Sequence, residues 1–232
     1  NSWLHPFIIT PLIGGVILLI LFLLHERRTA KPMLPLSLFR VRNFSVGNMA
    51  TFAIYGGLSI ALFLITIFMQ ETGKYTALAA GIATVPVTII MFFLSSWFGK
   101  LSSMYGPRFF MGTGPIVAAL GFLVMTHVDA RVDYWTSLFP GILLFGFGLA
   151  MTVAPLTTAV LSGIDSAHSG IGSAVNNSIS RIAGLLAIAG IGIVIGTNIT
   201  VEAFRTGMLA IAALLFIGGV VSWIGIENPK KQ

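Results

Sequence analysis

Asn48, Thr51, Tyr55, Ser59, Thr66 and Gln70 recur at spacings of three, four or seven through an otherwise apolar stretch. At about 100° per helical residue they fall within roughly a third of the circumference, one polar face from end to end. A second set, Ser173, Asn176, Asn177, Ser180, Arg181 and Gly184, shares one side of another apolar stretch, and Arg181 is the only formal charge inside such a stretch. Amides and hydroxyls in this setting either hydrogen-bond between helices or line a water-filled cavity. Both readings are open for the first set, where Tyr55 and Gln70 are larger than helix packing requires. For Arg181, snorkelling toward headgroups competes with binding an anionic group, pairing with a carboxylate elsewhere, or favouring one conformational state.

The elements that position these residues are seven apolar stretches, read as Pro6 to Leu24, Phe44 to Gln70, Ala77 to Phe98, Arg108 to Thr126, Tyr134 to Leu161, Gly170 to Gly196 and Gly207 to Ile226. Each is near the roughly 20 residues a helix needs to cross a hydrocarbon core of about 30 Å. The chain is 56% hydrophobic and only 9% charged, with a mean hydropathy of +0.96, which excludes a soluble domain with a solvated surface. Arg27, Arg28, Lys31, Arg40, Arg42, Lys100, Arg108, Lys230 and Lys231 fall in one set of loops, against Lys74, Arg131 and Arg205 in the other. That asymmetry puts the first set and the C-terminus in the cytoplasm, and it explains the net charge of +6 without nucleic acid. Trp3, Trp97, Trp135 and Trp223 lie near the expected span ends, as interfacial aromatics do. Between the first span and the rest, His25 to Asn43 mixes cations with Pro32 and Pro35. It reads either as a solvated basic connector or as a surface segment with Leu36, Leu38 and Phe39 in lipid and Arg40 and Arg42 near headgroups. Pro86 and Pro155 are expected to bend their helices. In the third span Gly81, Thr84, Thr88, Met91 and Ser95 form a weaker stripe of the kind that packs helices.

Several chemistries are excluded. There is no cysteine, hence no disulfide, thiol nucleophile or thiolate metal site. Every Asp and Glu is expected in a loop or at a span end, so no buried carboxylate and no acidic proton relay is expected. His5, His25, His127 and His168 have no ligand-spaced partner, so no metal site is expected. The spans offer hydroxyls without a base, which argues against an enzyme. No Gly-rich nucleotide loop is present, and no cofactor is implied. Asn198-Ile199-Thr200 matches a glycosylation pattern but sits close to the membrane. The opening Asn1-Ser2-Trp3 lacks an initiator Met and a signal-peptide pattern, so the chain reads as a fragment of a longer one.

Four ordered stretches add a likeness. Pro32-Met33-Leu34-Pro35-Leu36-Ser37-Leu38-Phe39, with Arg40, Arg42 and Phe44, leads into the second span. Gln70-Glu71-Thr72-Gly73, followed by Ala80-Gly81 and Pro86, closes it and opens the next. Gly99-Lys100-Leu101-Ser102-Ser103-Met104-Tyr105-Gly106-Pro107-Arg108 joins the third span to the fourth. Gly170 through Asn177, with Arg181 and Gly184, opens the sixth. In this order they resemble the major facilitator superfamily, specifically the C-terminal half of the 14-helix drug:proton antiporters of the EmrB/QacA type. The third stretch is similar to that superfamily's inner-loop motif, G-x-L-x-D-x-x-G-x-R. Ser103 stands where the family has Asp. It can hydrogen-bond or cap the next helix but cannot form the family's ion pair, so Gly99, Gly106 and Arg108 are expected to make a tight turn and Lys100 to serve as an inside-positive charge.

The resemblance implies an all-α polytopic membrane protein. Residues 1–24 would be an extra transmembrane helix, 25–43 a cytoplasmic basic linker, and 44–232 a six-helix C-terminal transporter half. It implies a secondary active transporter of the cell membrane that exports lipophilic or cationic small molecules by alternating access, driven by protons. Asn48, Tyr55, Ser59, Gln70, Asn177 and Arg181 are the expected cavity-lining residues. The partners would be the substrate, protons, the lipid bilayer and the N-terminal half of the same chain, which is expected to carry the coupling acids. An exporter of another metabolite, such as a siderophore or an amino acid, would share the scaffold. A channel or a non-transporting scaffold is the alternative of another class.

Overall fold

A computed structural model describes residues 6–29, 32–129, 132–196 and 199–228. The expectations for Trp3, Lys31, Arg131, Asn198, Lys230 and Lys231 lie outside the described residues. Seven helical stretches among those described are long and apolar enough to cross a membrane. They divide between two compact units, Asn1–Arg40 and Val41–Gln232.

The first unit holds α1, Pro6–Arg28, and a 3-10 turn, Leu36–Arg40. Leu, Ile, Val and Phe surround α1 on every side, and 6% of its span is buried, the surface of a helix suited to lipid. Its last turn carries His25, Arg27 and Arg28, the sign that complements a helix C-terminus. Glu26 in the same turn is 5% exposed, and its Oε2 accepts the Leu34 N–H at 3.0 Å. The acid is at a helix end as expected, but it is buried, which corrects the expectation of no buried carboxylate. Leu38, expected in lipid, is buried as well.

The second unit comprises α2 (Arg42–Glu71), α3 (Ala77–Ala83), α4 (Val85–Tyr105), α5 (Pro107–Met125), α6 (Phe139–Leu161), α7 (Ser169–Ile195) and α8 (Val201–Gly225). A π-helical turn, Tyr134–Leu138, leads into α6, and α3 and α4 together make one span. Three ends differ from the sequence reading, the first being that of α1, which runs on to Arg28 where Leu24 was expected, so that residues 25–28 are helical and not linker. The third span runs on to Tyr105, because Gly99 to Tyr105 continue the helix until Gly106 ends it. Lys100 is therefore helical, and Trp97 lies two turns inside the helix instead of at its end. The last span starts at Val201 because the Thr200 side chain caps it, accepting the Ala203 N–H at 3.1 Å. Glu202 and Arg205 are consequently helical.

Small residues let the helices close. A Cβ on Gly148 would lie 2.4 Å from the Ala118 nitrogen, and one on Gly121 2.6 Å from the Gly141 carbonyl oxygen, so α5 and α6 meet backbone to backbone. α5 also packs on α8, where Trp223 covers Gly112. α2 lies against α8, with Phe68 stacked on Phe204 at 3.9 Å, and against α7. α4 packs on α6. About half of the α2, α5 and α6 spans is buried, against 17% for the α3–α4 and α7 spans. α4 and α7 are thus flanks with large open faces, and those faces differ. That of α4 presents Phe92 and Phe93, 79% and 70% exposed, whereas that of α7 presents Asn177, Ser178 and Arg181 beside the apolar Ile182, Leu185 and Leu186.

Candidate functional site: the polar face of α2, α6 and α7

Two amides and a hydroxyl join α2 to α7. Asn176 Nδ2 donates to Asn48 Oδ1 at 3.0 Å and to Thr51 Oγ1 at 2.7 Å. Asn48 Nδ2 in turn donates to the Phe44 carbonyl at 2.8 Å, and the Thr51 hydroxyl to that of Gly47. Asn48 and Thr51 are buried, so their polar atoms are used between and within helices. Two turns along, Gly184 accommodates Ser59, since a Cβ there would sit 2.5 Å from the Ser59 Oγ. Gly56 approaches Ala183 and Ala187 in the same seam.

Tyr55 and Ser59 are half-buried on α2. Gln70 lies at the far end, its Nε2 donating to the Thr66 carbonyl at 3.3 Å. From Asn48 to Gln70 the stripe climbs about 33 Å at 1.5 Å per residue, so its members span the membrane and do not meet at one point. On α7 the polar set divides. Asn176 and Gly184 turn toward α2, while Asn177 and Arg181 are exposed and make no side-chain hydrogen bond or ion pair among the described residues. A small cavity of about 90 Å³ opens where Ser173 and Asn176 of α7 meet Thr157 and Val160 of α6. The site is therefore a hydrogen-bonded α2–α7 seam, a small cleft shared with α6, and an adjoining open strip with an amide and a guanidinium. Thr157 is the polar lining residue not expected from the sequence, beside the apolar Val160 and Leu161; its place just after Pro155 in the fifth span was the available signal.

The inner-loop motif forms the turn between α4 and α5. Gly106 has φ +92°, a conformation only glycine adopts readily. Pro107 starts α5, and Gly99 contacts Ala154 of α6. Ser103 donates to the Gly99 carbonyl at 3.1 Å and does not cap α5. That role belongs to Asn228, whose Oδ1 accepts the Arg108 N–H at 3.1 Å. Arg108 Nε donates to the Trp223 carbonyl at 2.7 Å, and Lys100 is exposed. Ser102 is buried and its Oγ has no partner among the described residues.

The same end of the bundle holds a clamp absent from the sequence reading. Arg42, expected near headgroups, pairs with Glu227 at 2.8 Å and donates to the carbonyls of Gly225 and Ile224. Asn43 exchanges two hydrogen bonds with the Glu227 backbone at 2.9 Å each. Unpaired carbonyls at a helix C-terminus draw cations, and here two arginines from α2 and α5 converge on α8. Charge at both ends of the sequence was the only cue.

The described residues include no cluster of three or more acids and histidines able to hold a metal. A family model described as Major Facilitator Superfamily matches residues 1–188. The chain is 27% identical over 209 residues to the methylenomycin A resistance protein of Bacillus subtilis (strain 168), covering 86% of this chain and 43% of that protein. It is 31% identical over 180 residues to the fatty acid resistance protein FarB of Neisseria gonorrhoeae, covering 76% and 35%. The lincomycin resistance protein LmrB of Bacillus subtilis (strain 168) is 25% identical over 189 residues, covering 82% and 39%. The chain spans about half or less of the length of these curated relatives.

Proposed function

The chain belongs to the Major Facilitator Superfamily, and from that premise we propose that it is the C-terminal half of a proton-driven exporter of lipophilic compounds, of the 14-helix type. The observation that carries the reading is the open strip of α7. Asn177 and Arg181 stand exposed there, on a helix long and apolar enough to cross a membrane. A guanidinium at the middle of a lipid-facing helix costs about 2.5–3.5 kcal/mol or more. Water in a transport pathway, or the facing half of a rocking transporter, removes that cost. On this reading Asn48 and Thr51 hold α7 to α2, while Tyr55, Asn177 and Arg181 contact the substrate. Ser59 and Gln70 continue the strip toward the far side, and Arg42 and Arg108 mark the cytoplasmic end.

Proton coupling needs a titratable group within the membrane. The seven Asp and Glu residues all lie at helix ends or in loops, which supports a coupling acid in the N-terminal half. The test uses everted vesicles carrying the full-length protein with an acidic lumen. Ethidium accumulates, leaks out when a protonophore is added, and accumulates at least tenfold more slowly with Arg181→Ala. Dye uptake indifferent to the pH gradient contradicts the exporter and points to a channel or scaffold.

A second reading, export of anionic amphiphiles, is favoured by the Arg181 guanidinium, which has no partner among the described residues, and by likeness to a protein named for fatty acid resistance. It predicts that oleate outcompetes ethidium, and that Arg181→Gln abolishes the advantage.

A further inference from the structure

A cavity of about 450 Å³ lies apart from the α2–α6–α7 face, at the end of the bundle opposite Arg42 and Arg108. Its shape follows from two irregular backbone turns. Pro86 has no N–H to give, so the span breaks at Thr84. The Val87 N–H bonds the Thr84 carbonyl at 3.1 Å, and the Ala83 carbonyl that a continuous helix would have engaged accepts the Tyr134 hydroxyl at 3.0 Å. Tyr134 begins the π-helical turn, and its N–H in turn donates to the Tyr75 hydroxyl at 3.3 Å, which donates to the Val132 carbonyl at 3.1 Å. The broken helix and the π turn are therefore tied together across the cavity.

These bonds occupy both tyrosine hydroxyls and leave a guest mainly apolar and aromatic surface, including Met69, Ile82, Pro86, Trp135 and Phe139. Trp135 stands edge-on to Tyr134 and to Phe139, with centroids 5.1 Å away in each case. No charged side chain among the described residues lines the space, so an ionised guest would lose its hydration without compensation from them. The volume is within the range of small-molecule sites, and fixed ring faces suit a flat guest.

We propose that this cavity binds the ring system of a neutral lipophilic small molecule, as a second site on the far side of the bundle. Its binding stands on the cavity alone; its place as the site nearest release rests on the exporter reading above.

The experiment measures energy transfer from tryptophan to N-phenyl-1-naphthylamine in proteoliposomes of the full-length protein. A saturable component is expected, at least twofold weaker in Trp135→Phe, which removes the donor at the cavity, and at least fivefold weaker in Ile82→Phe. Ile82 is 57% exposed, so that substitution fills the cavity without touching the core or adding a donor, and Ala79→Phe repeats the test from the next turn. Saturable transfer unchanged in all three variants overturns the proposal. Brominated phosphatidylcholine distinguishes a guest from a lipid chain. Relief of its quenching of Trp135 by the probe supports the site, and quenching that the probe leaves unchanged assigns the cavity to lipid and overturns it. Efflux of the probe is read separately. Binding without pH-driven efflux retains the site and removes the exporter reading, whereas efflux without Trp135-dependent binding does the reverse.

Discussion

Asn176 is the residue on which the α2–α7 seam turns, because one amide nitrogen serves both Asn48 and Thr51. Interhelical hydrogen bonds in membranes contribute about 0.6 kcal/mol on average, because the separated helices find other partners. Asn176→Ala is therefore expected to lower stability by about 1 kcal/mol for the pair of bonds, measured by steric trapping in bicelles, while Asn177→Ala leaves it unchanged. Equal losses would mean that the two amides play the same part. Sequence spacing put both on one side of the helix, and the structure parts them because neighbouring residues stand about 100° apart. Asn48 and Thr51 likewise satisfy the interhelical alternative that their types allowed. Arg42 was legible as a basic residue at a helix start, but its partner Glu227 lies at the other end of the chain, beyond the reach of any local pattern.

Among the elements, the α5–α6 pair depends on backbone contact. Any side chain on Gly148 must push Ala118 away, whereas Gly192 on the flank helix α7 has nothing within 4 Å of a built Cβ. Gly148→Ala is expected to lower the yield of folded, monodisperse protein severalfold in size-exclusion chromatography. Gly192→Ala is expected to be neutral or slightly stabilising, as alanine favours the helix by up to about 1 kcal/mol. The reverse order would contradict the packing described. Span number and order were readable from hydropathy because lipid forces continuous apolar helices. Span ends were not, since caps such as Thr200 and the φ +92° turn at Gly106 decide them locally. The break at Thr84 was signalled by Pro86, but the hydroxyl of Tyr134 that takes up the Ala83 carbonyl comes from a different span.

At the scale of the whole molecule, the two flanks present different surfaces. α4 offers Phe92 and Phe93 outward, while α7 offers Asn177 and Arg181, and only the second surface is costly in hydrocarbon. That contrast underlies the assignment of α7 to a shared aqueous pathway. The chain carries no cysteine, so single thiols can be introduced without background from these residues. The direct measurement is the reaction of Asn177→Cys and Phe92→Cys with a membrane-impermeant methanethiosulfonate, in full-length protein whose other cysteines are replaced. The thiolate needed for reaction forms in water and not in lipid. Position 177 is expected to be modified, to be protected by a transported compound, and to react at least tenfold faster than position 92. Equal inertness at both positions, or faster reaction at 92, would contradict that assignment.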